Sequence, residues 1–281
     1  MKKTPILLCV WFCFFTLLFA EKTTPIDSKK SINQSTLVGI GRVSLHDSYL
    51  SPITYEGVAI SLMHERIRGS NMFDGKLLLQ NQFRIQTGVT DNPSASGSEY
   101  WGNLYYNLNG FYPIFETDKL RLFGGGGIDA ALGGIYNVRN SNNPGSLNTY
   151  INLNIALMAI YNWRNLSFRW QVASPFVGAF FSPEYFGHSF YEIFTLGNNK
   201  GTVHFGSFQN QIALRNYFTV DIPIYNLTLR TGYMWDYYST DVNRLVTKIN
   251  AHQFMIGLAF ESLNFGGRKA STENMVESVF Y

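Results

Sequence analysis

The chain has 281 residues, 46% of them hydrophobic, 16% aromatic and only 15% charged, with a formal net charge of +3. Soluble chains carry about a quarter charged residues, so this composition excludes a disordered segment and a coiled coil. One apolar run approaches the roughly 18 residues of a spanning helix, and it lies at the very N-terminus, so a helical membrane bundle is excluded too.

Lys2 and Lys3 precede an apolar stretch from Ile6 to Phe19, which ends at Ala20 before Glu21, Lys22 and Thr23. This layout predicts a secretory signal peptide over residues 1–20. Both cysteines, Cys9 and Cys13, fall inside it, so the exported chain has neither a disulfide nor a free thiol. Without Lys2 and Lys3 the charge is close to neutral, which leaves no basic footprint for nucleic acid.

A polar lead over 21–34 is followed by segments of ten to sixteen residues with alternating side chains, the period of β-strands. In Lys76 to Val89, Leu77, Leu79, Phe83, Ile85 and Val89 share one face, while Lys76, Gln80, Gln82, Arg84 and Gln86 share the other. The same division recurs at Asn148 to Tyr161, Leu166 to Ala173, Leu227 to Asp236 and Gln253 to Glu261. Soluble strands average five or six residues, whereas these match the 9–11 that cross a bilayer. Tyr100, Trp101, Tyr161, Trp163, Tyr233, Trp235 and Tyr237 lie toward segment ends, where interfacial girdles belong. The expected fold is an all-β, closed antiparallel outer-membrane barrel over 35–263, with a C-terminal tail over 264–281.

Connections that alternate between short and long set the strand count. Short turns are expected at 69–75, 113–119, 163–165 and 221–226, and longer connections at 46–54, 90–98, 137–147, 181–202 and 239–249. That predicts ten strands, or twelve if His188 to Leu196 forms a hairpin arm. The glycine run Gly124 to Gly127 lies inside a strand with no Lys-Ser/Thr after it, so it predicts wall curvature or close backbone contact, not a phosphate loop.

Placing the polar faces inward predicts a lumen charge network of Lys76, Arg84, Arg121, Arg169, Arg215 and Arg230 with Glu65, Asp129, Asp236 and Glu261. A ten-stranded barrel is narrow enough for such side chains to fill it. The alternative is a small-solute channel lined by arginine. His188, Ser189 and Glu192 are candidates for a lipid-directed hydrolase or lipid-binding site, since acyl hydrolysis needs a serine activated by an oriented histidine. In an extended segment, however, adjacent residues point to opposite faces. His204 and Ser207, three apart, meet the same objection. The five histidines are scattered without metal-ligand spacing, and no cofactor is expected.

The segment Ser174 to Gly197 (SPFVGAFFSPEYFGHSFYEIFTLG), together with His204-Phe205 and the stretch His252 to Leu258, resembles a family of Bacteroidetes outer-membrane proteins. The resemblance implies an envelope location and a β-rich fold, and it carries over no catalytic residue. The sequence therefore predicts an outer-membrane barrel with a structural, adhesive or complex-forming role and no chemistry. Its expected partners are the bilayer, lipopolysaccharide, the barrel-assembly machinery during insertion and other envelope proteins.

Overall fold

A computed structural model describes residues 31–263 apart from 71, 142, 225 and 226. The expected signal peptide, residues 21–30 of the lead and the tail over 264–281 lie outside the described residues. Eleven strands follow in order: β1 (Ser31–Asp47), β2 (Tyr55–Gly69), β3 (Leu78–Asp91), β4 (Ser98–Glu116), β5 (Leu120–Asn137), β6 (Gly145–Trp163), β7 (Leu166–Phe181), β8 (Val203–Ser207), β9 (Gln211–Ile224), β10 (Leu227–Val242) and β11 (Leu245–Leu263). A short helix, α1 (Phe190–Phe194), lies between β7 and β8.

All neighbours pair antiparallel, and the sheet closes because β1 pairs with β11 from Ser31↔Leu263 to Asp47↔Thr247. The β6–β7 ladder completes the ring. Both β8 and β9 pair with β7, so they are two pieces of one wall strand and the barrel has ten. The segment expected as a possible hairpin arm is the loop that carries α1, so no twelfth strand forms. Ser189 caps this helix by accepting from the Glu192 N–H at 3.2 Å, and such a cap favours a helical turn over an extended arm.

Alternation gives each face its solvent. Ile151, Leu153, Ile155 and Leu157 on β6 and Phe254, Ile256, Leu258 and Phe260 on β11 are exposed, while the intervening Asn152, Asn154, Gln253 and Met255 are buried inside. An apolar outer belt around a polar interior is the form in which a closed sheet crosses a bilayer, because its backbone groups are all paired. The protein is an outer-membrane β-barrel. Trp101, expected in a girdle, is buried in the lumen, whereas Tyr100, Tyr161, Trp163 and Tyr233 face outward.

The chain's two described ends share one rim with the connections 70–77, 117–119, 164–165 and 225–226, which marks it as the periplasmic side. The 70–77 connection is longer than a compact turn, and Lys76 lies in it instead of on a strand. At the opposite rim the long connection expected over 239–249 is a two-residue turn, Asn243-Arg244, between Val242 and Leu245. Both turn residues have positive φ, 54° and 65°, the geometry of a type I′ hairpin, whose twist matches its strands. In β5, a methyl group at Gly125 or Gly127 would fall onto the carbonyl oxygen of Gly110 or Leu108 on β4, so both expected roles of the glycine run reduce to close backbone approach.

Three apolar clusters divide the interior. Val43, Leu45, Leu50, Trp101 and Tyr238 pack at the extracellular end, and Ile67, Leu78, Phe111, Phe123 and Ile160 pack at the periplasmic end. Leu37, Met63, Tyr217, Met234 and Met255 lie between them.

Candidate functional site: the charged lumen and the extracellular rim

Two charged layers fill the space between the apolar clusters. In the layer nearer the periplasm, Glu65 of β2 receives Arg169 of β7 at 2.6 Å and Arg230 of β10 at 3.0 Å. Its other oxygen accepts from Arg169 Nη1, Gln80 and Gln82 at 2.7–2.9 Å. Arg230 grips Asp221 through Nε and Nη2, both at 2.7 Å, and also donates to Ser35 and Asn33. Gln80 and Gln171 exchange two hydrogen bonds of 2.8 Å across the lumen. Six of the ten wall strands meet here, two arginines balance two carboxylates, and all four charged side chains are sealed from water. A buried ion pair is favourable only when further hydrogen bonds satisfy the remaining groups, as they do around Glu65 and Asp221.

The second layer lies toward the outside. Asp236 of β10 accepts from Arg84 of β3 at 2.7 Å and from Arg215 of β9 at 2.8 Å. Both guanidinium groups lie over the Tyr105 ring, at 5.2 and 3.7 Å from its centre, and Arg215 also donates to the Tyr105 hydroxyl. Asp129 accepts from Asn154 at 3.2 Å.

The structure thus brings together Arg84, Arg215 and Asp236, and separately Glu65, Arg169 and Arg230. It leaves Lys76 in the 70–77 connection, while Arg121 and Glu261 sit half-buried on inward positions toward the periplasmic rim. Sequence reading missed Asp221, which was assigned to a turn. Its signal was available in the hairpin register: pairing of Leu227 with Ile224 sets Asp221 opposite Arg230 and Arg215 opposite Asp236. Tyr105 was missed as well.

His188, Ser189 and Glu192 do not form a catalytic arrangement. His188 is fully buried, with Nε2–H donating to the Asn198 carbonyl at 2.8 Å and Nδ1 receiving the Glu184 N–H at 3.4 Å. The Ser189 hydroxyl is the helix cap, so neither group is free to activate the other. His204 binds the Ser182 carbonyl at 3.1 Å, and Ser207 is set by its N–H to Asn210. His188 and Ser189 thus build the 182–202 loop, and His204 ties β8 to its start. The Tyr49 hydroxyl donates to the His188 carbonyl at 2.8 Å, and burial beside Asp47 pushes that phenol up to about 12. On this anchored frame Tyr185, Phe186, Tyr191, Phe194 and Leu196 are exposed. Among the described residues no group of acidic, histidine or cysteine side chains is arranged to hold a metal ion.

Among solved structures the chain is similar to the outer membrane protease OmpT from Escherichia coli, with a TM-score of 0.49 and 8% identity over 87% of this chain and 99% of the other. It is also similar to an outer membrane channel from Pseudomonas putida F1, with a TM-score of 0.43 and 10% identity over 86% and 100%. A third is the transport unit of the autotransporter AIDA-I from Escherichia coli, with a TM-score of 0.41 and 8% identity over 89% and 94%. No curated protein matches the chain in sequence. Residues 6–269 match a family model, and the chain belongs to the family described as protein of unknown function (DUF3316).

Proposed function

We propose that this barrel is a sealed outer-membrane platform that works through its extracellular rim, as an adhesive or complex-forming component of the envelope. The observation that carries this reading is the lumen itself. Two charged layers tie opposite walls together, and an apolar cluster closes each end. A conducting pore needs a continuous polar path, and the arginines that would line one are instead locked on carboxylates.

The rim supports the second half of the reading. Exposed aromatic side chains cost little conformational entropy to bury against a partner, and Tyr is enriched at the centre of protein interfaces. Here they stand on a loop held by His188, Tyr49 and the Ser189 cap, so binding need not first order the loop. The test is to cross-link intact cells that express the wild-type chain or a Phe186→Ser/Tyr191→Ser/Phe194→Ser variant. The reading predicts a discrete envelope adduct that the variant loses while still inserting; identical patterns from both chains would contradict it.

A further inference from the structure

The outward side chains of β1 and β11 change character along the strands. On β1 the exposed Val38 and Ile40 give way to Arg42, Ser44 and His46, and on β11 the exposed Ile256 and Phe254 give way to His252, Asn250 and Lys248. A charged side chain facing hydrocarbon is costly, so the change marks the extracellular edge of the apolar belt. Tyr233 and Trp235 of β10, in register with Phe254 and His252, stand at that edge as a girdle does.

The register sets these polar residues in three facing pairs on the outer surface, Arg42↔His252, Ser44↔Asn250 and His46↔Lys248. Among the described residues no other strand points a basic side chain outward in the extracellular half of the wall. Basic groups set opposite one another weaken a strand pair whenever both are charged. Arg42 and Lys248 are exposed, and neither forms an ion pair among the described residues. A basic cluster on the strands that close the barrel, at the level of the lipid headgroups, is therefore matched to an anion from outside the chain.

The neighbouring groups are held ready for such a ligand. Trp235 Nε1 donates to Asn250 Oδ1 at 2.8 Å, which occupies the amide's acceptor and leaves its NH2 to donate. The Trp235 ring stacks on His252 with centroids 5.8 Å apart and 4° between planes, and the Tyr233 hydroxyl lies 2.6 Å from His252 Nδ1, leaving Nε2 for a ligand. Arg42, Ser44, Asn250 and His252 line an open groove of about 430 Å³, with Glu56 and Val58 of β2 on its other side. That volume accommodates a sugar unit. Ionised Glu56 only accepts, so it suits a sugar hydroxyl where the guanidinium and ammonium groups suit phosphate oxygens. Lys248 follows two positions beyond Asn250 on the same face, about 7 Å along the strand. Just below the groove the exposed Ile40 and Phe254 continue into the apolar belt, so a headgroup seated here has its acyl chains beside the wall.

We propose that the outer face of the β1–β11 seam binds an outer-leaflet glycolipid whose sugar headgroup carries phosphate. Arg42 and Lys248 take the phosphate, Glu56 takes a sugar hydroxyl, and Ile40 and Phe254 meet the acyl chains. The site lies apart from the 182–202 loop and stands independently of the rim's proposed role.

The test uses the full-length protein refolded in detergent micelles, with barrel formation checked by heat-dependent gel migration. Native mass spectrometry then follows titration with four probes: bis-phosphorylated lipid A, the same lipid after phosphatase treatment, phosphatidylglycerol and inorganic phosphate. The proposal expects saturable binding of the phosphorylated glycolipid, at least fivefold tighter than that of either other lipid. It expects this binding to weaken fivefold or more in Arg42→Gln/Lys248→Gln, while Arg66→Gln/Arg68→Gln, which removes two outward arginines near the periplasmic rim, changes it less than twofold. If the first double variant fails to fold, Lys248→Gln alone takes its place, with a loss of at least threefold expected. Four results would overturn the proposal: equal binding of phosphatidylglycerol or of the dephosphorylated lipid, saturable binding of inorganic phosphate alone, equal losses in the two double variants, or no saturable binding.

Discussion

Arg230 and Asp221 face each other across the β9–β10 hairpin, two nitrogens on two oxygens at 2.7 Å, with neither side chain reachable by water. Arg230 reaches onward to Glu65, and Glu65 to Arg169. One hairpin pair thereby becomes a strut that spans the lumen.

Removing one charge from that strut strands the others. Glu65→Ala leaves Arg169 and Arg230 short of a shared carboxylate in a sealed interior, so we expect a loss of about 3–5 kcal/mol of stability. Denaturant unfolding of the vesicle-inserted barrel measures it. A loss below about 1 kcal/mol would mean that the layer does not hold the walls together.

The β4–β5 contact predicts a folding defect of a different kind. Gly127→Val places a branched side chain against the Leu108 carbonyl, where no flexible group can yield. The variant is expected to stay at the unfolded position on unheated gels, while Gly102→Ala, with open space around its Cα, should fold normally.

The Asn243-Arg244 turn requires positive φ at both positions. Asn243→Gly fits that geometry and should preserve or slightly raise stability, whereas Asn243→Pro cannot, since proline fixes φ near −65°. The proline variant is expected to lower the unfolding midpoint and to expose the 240s to protease.

The Tyr49 tie to His188 has a definite pH window. Its folded pKa, about 12, lies above the ordinary tyrosine value of about 10, so folding favours the neutral phenol. The stabilisation is complete below pH 10 and is lost as pH rises toward 12. Protease protection of the 182–202 loop should follow that course in the wild type. Tyr49→Phe should show weaker protection at neutral pH and lack this particular loss.

The fold was legible because lipid and lumen impose opposite demands on successive residues, and that alternation survives in single strands such as Lys76 to Val89. Arg84, Arg169, Arg215, Arg230 and Asp236 could be placed inward from parity alone. Asp221 could not, because proline and asparagine nearby made its segment look like a turn. The broken wall strand escaped for a different reason: Phe208 to Asn210 shifts the alternation by one residue, from Val203 and Phe205 outward in β8 to Ile212 and Phe218 outward in β9, and the apolar residues on both sides of the shift read as one strand. The helix at Phe190–Phe194 was hidden by its aromatic content, which suits a strand, while the Ser189 cap that decides for helix is a single residue. Lys76 fell outside the lumen because strand pairing begins only at Leu78.

The claim that the lumen is sealed is tested most directly by planar-bilayer recording on the purified barrel. The structure predicts no steady conductance at moderate voltage in either polarity, in the wild type or in Arg84→Ala, because the apolar clusters at both ends remain when one arginine is removed. A stable, ohmic conductance that Arg84→Ala or Arg215→Ala alters in ion selectivity would contradict it and make the arginine-lined lumen a channel.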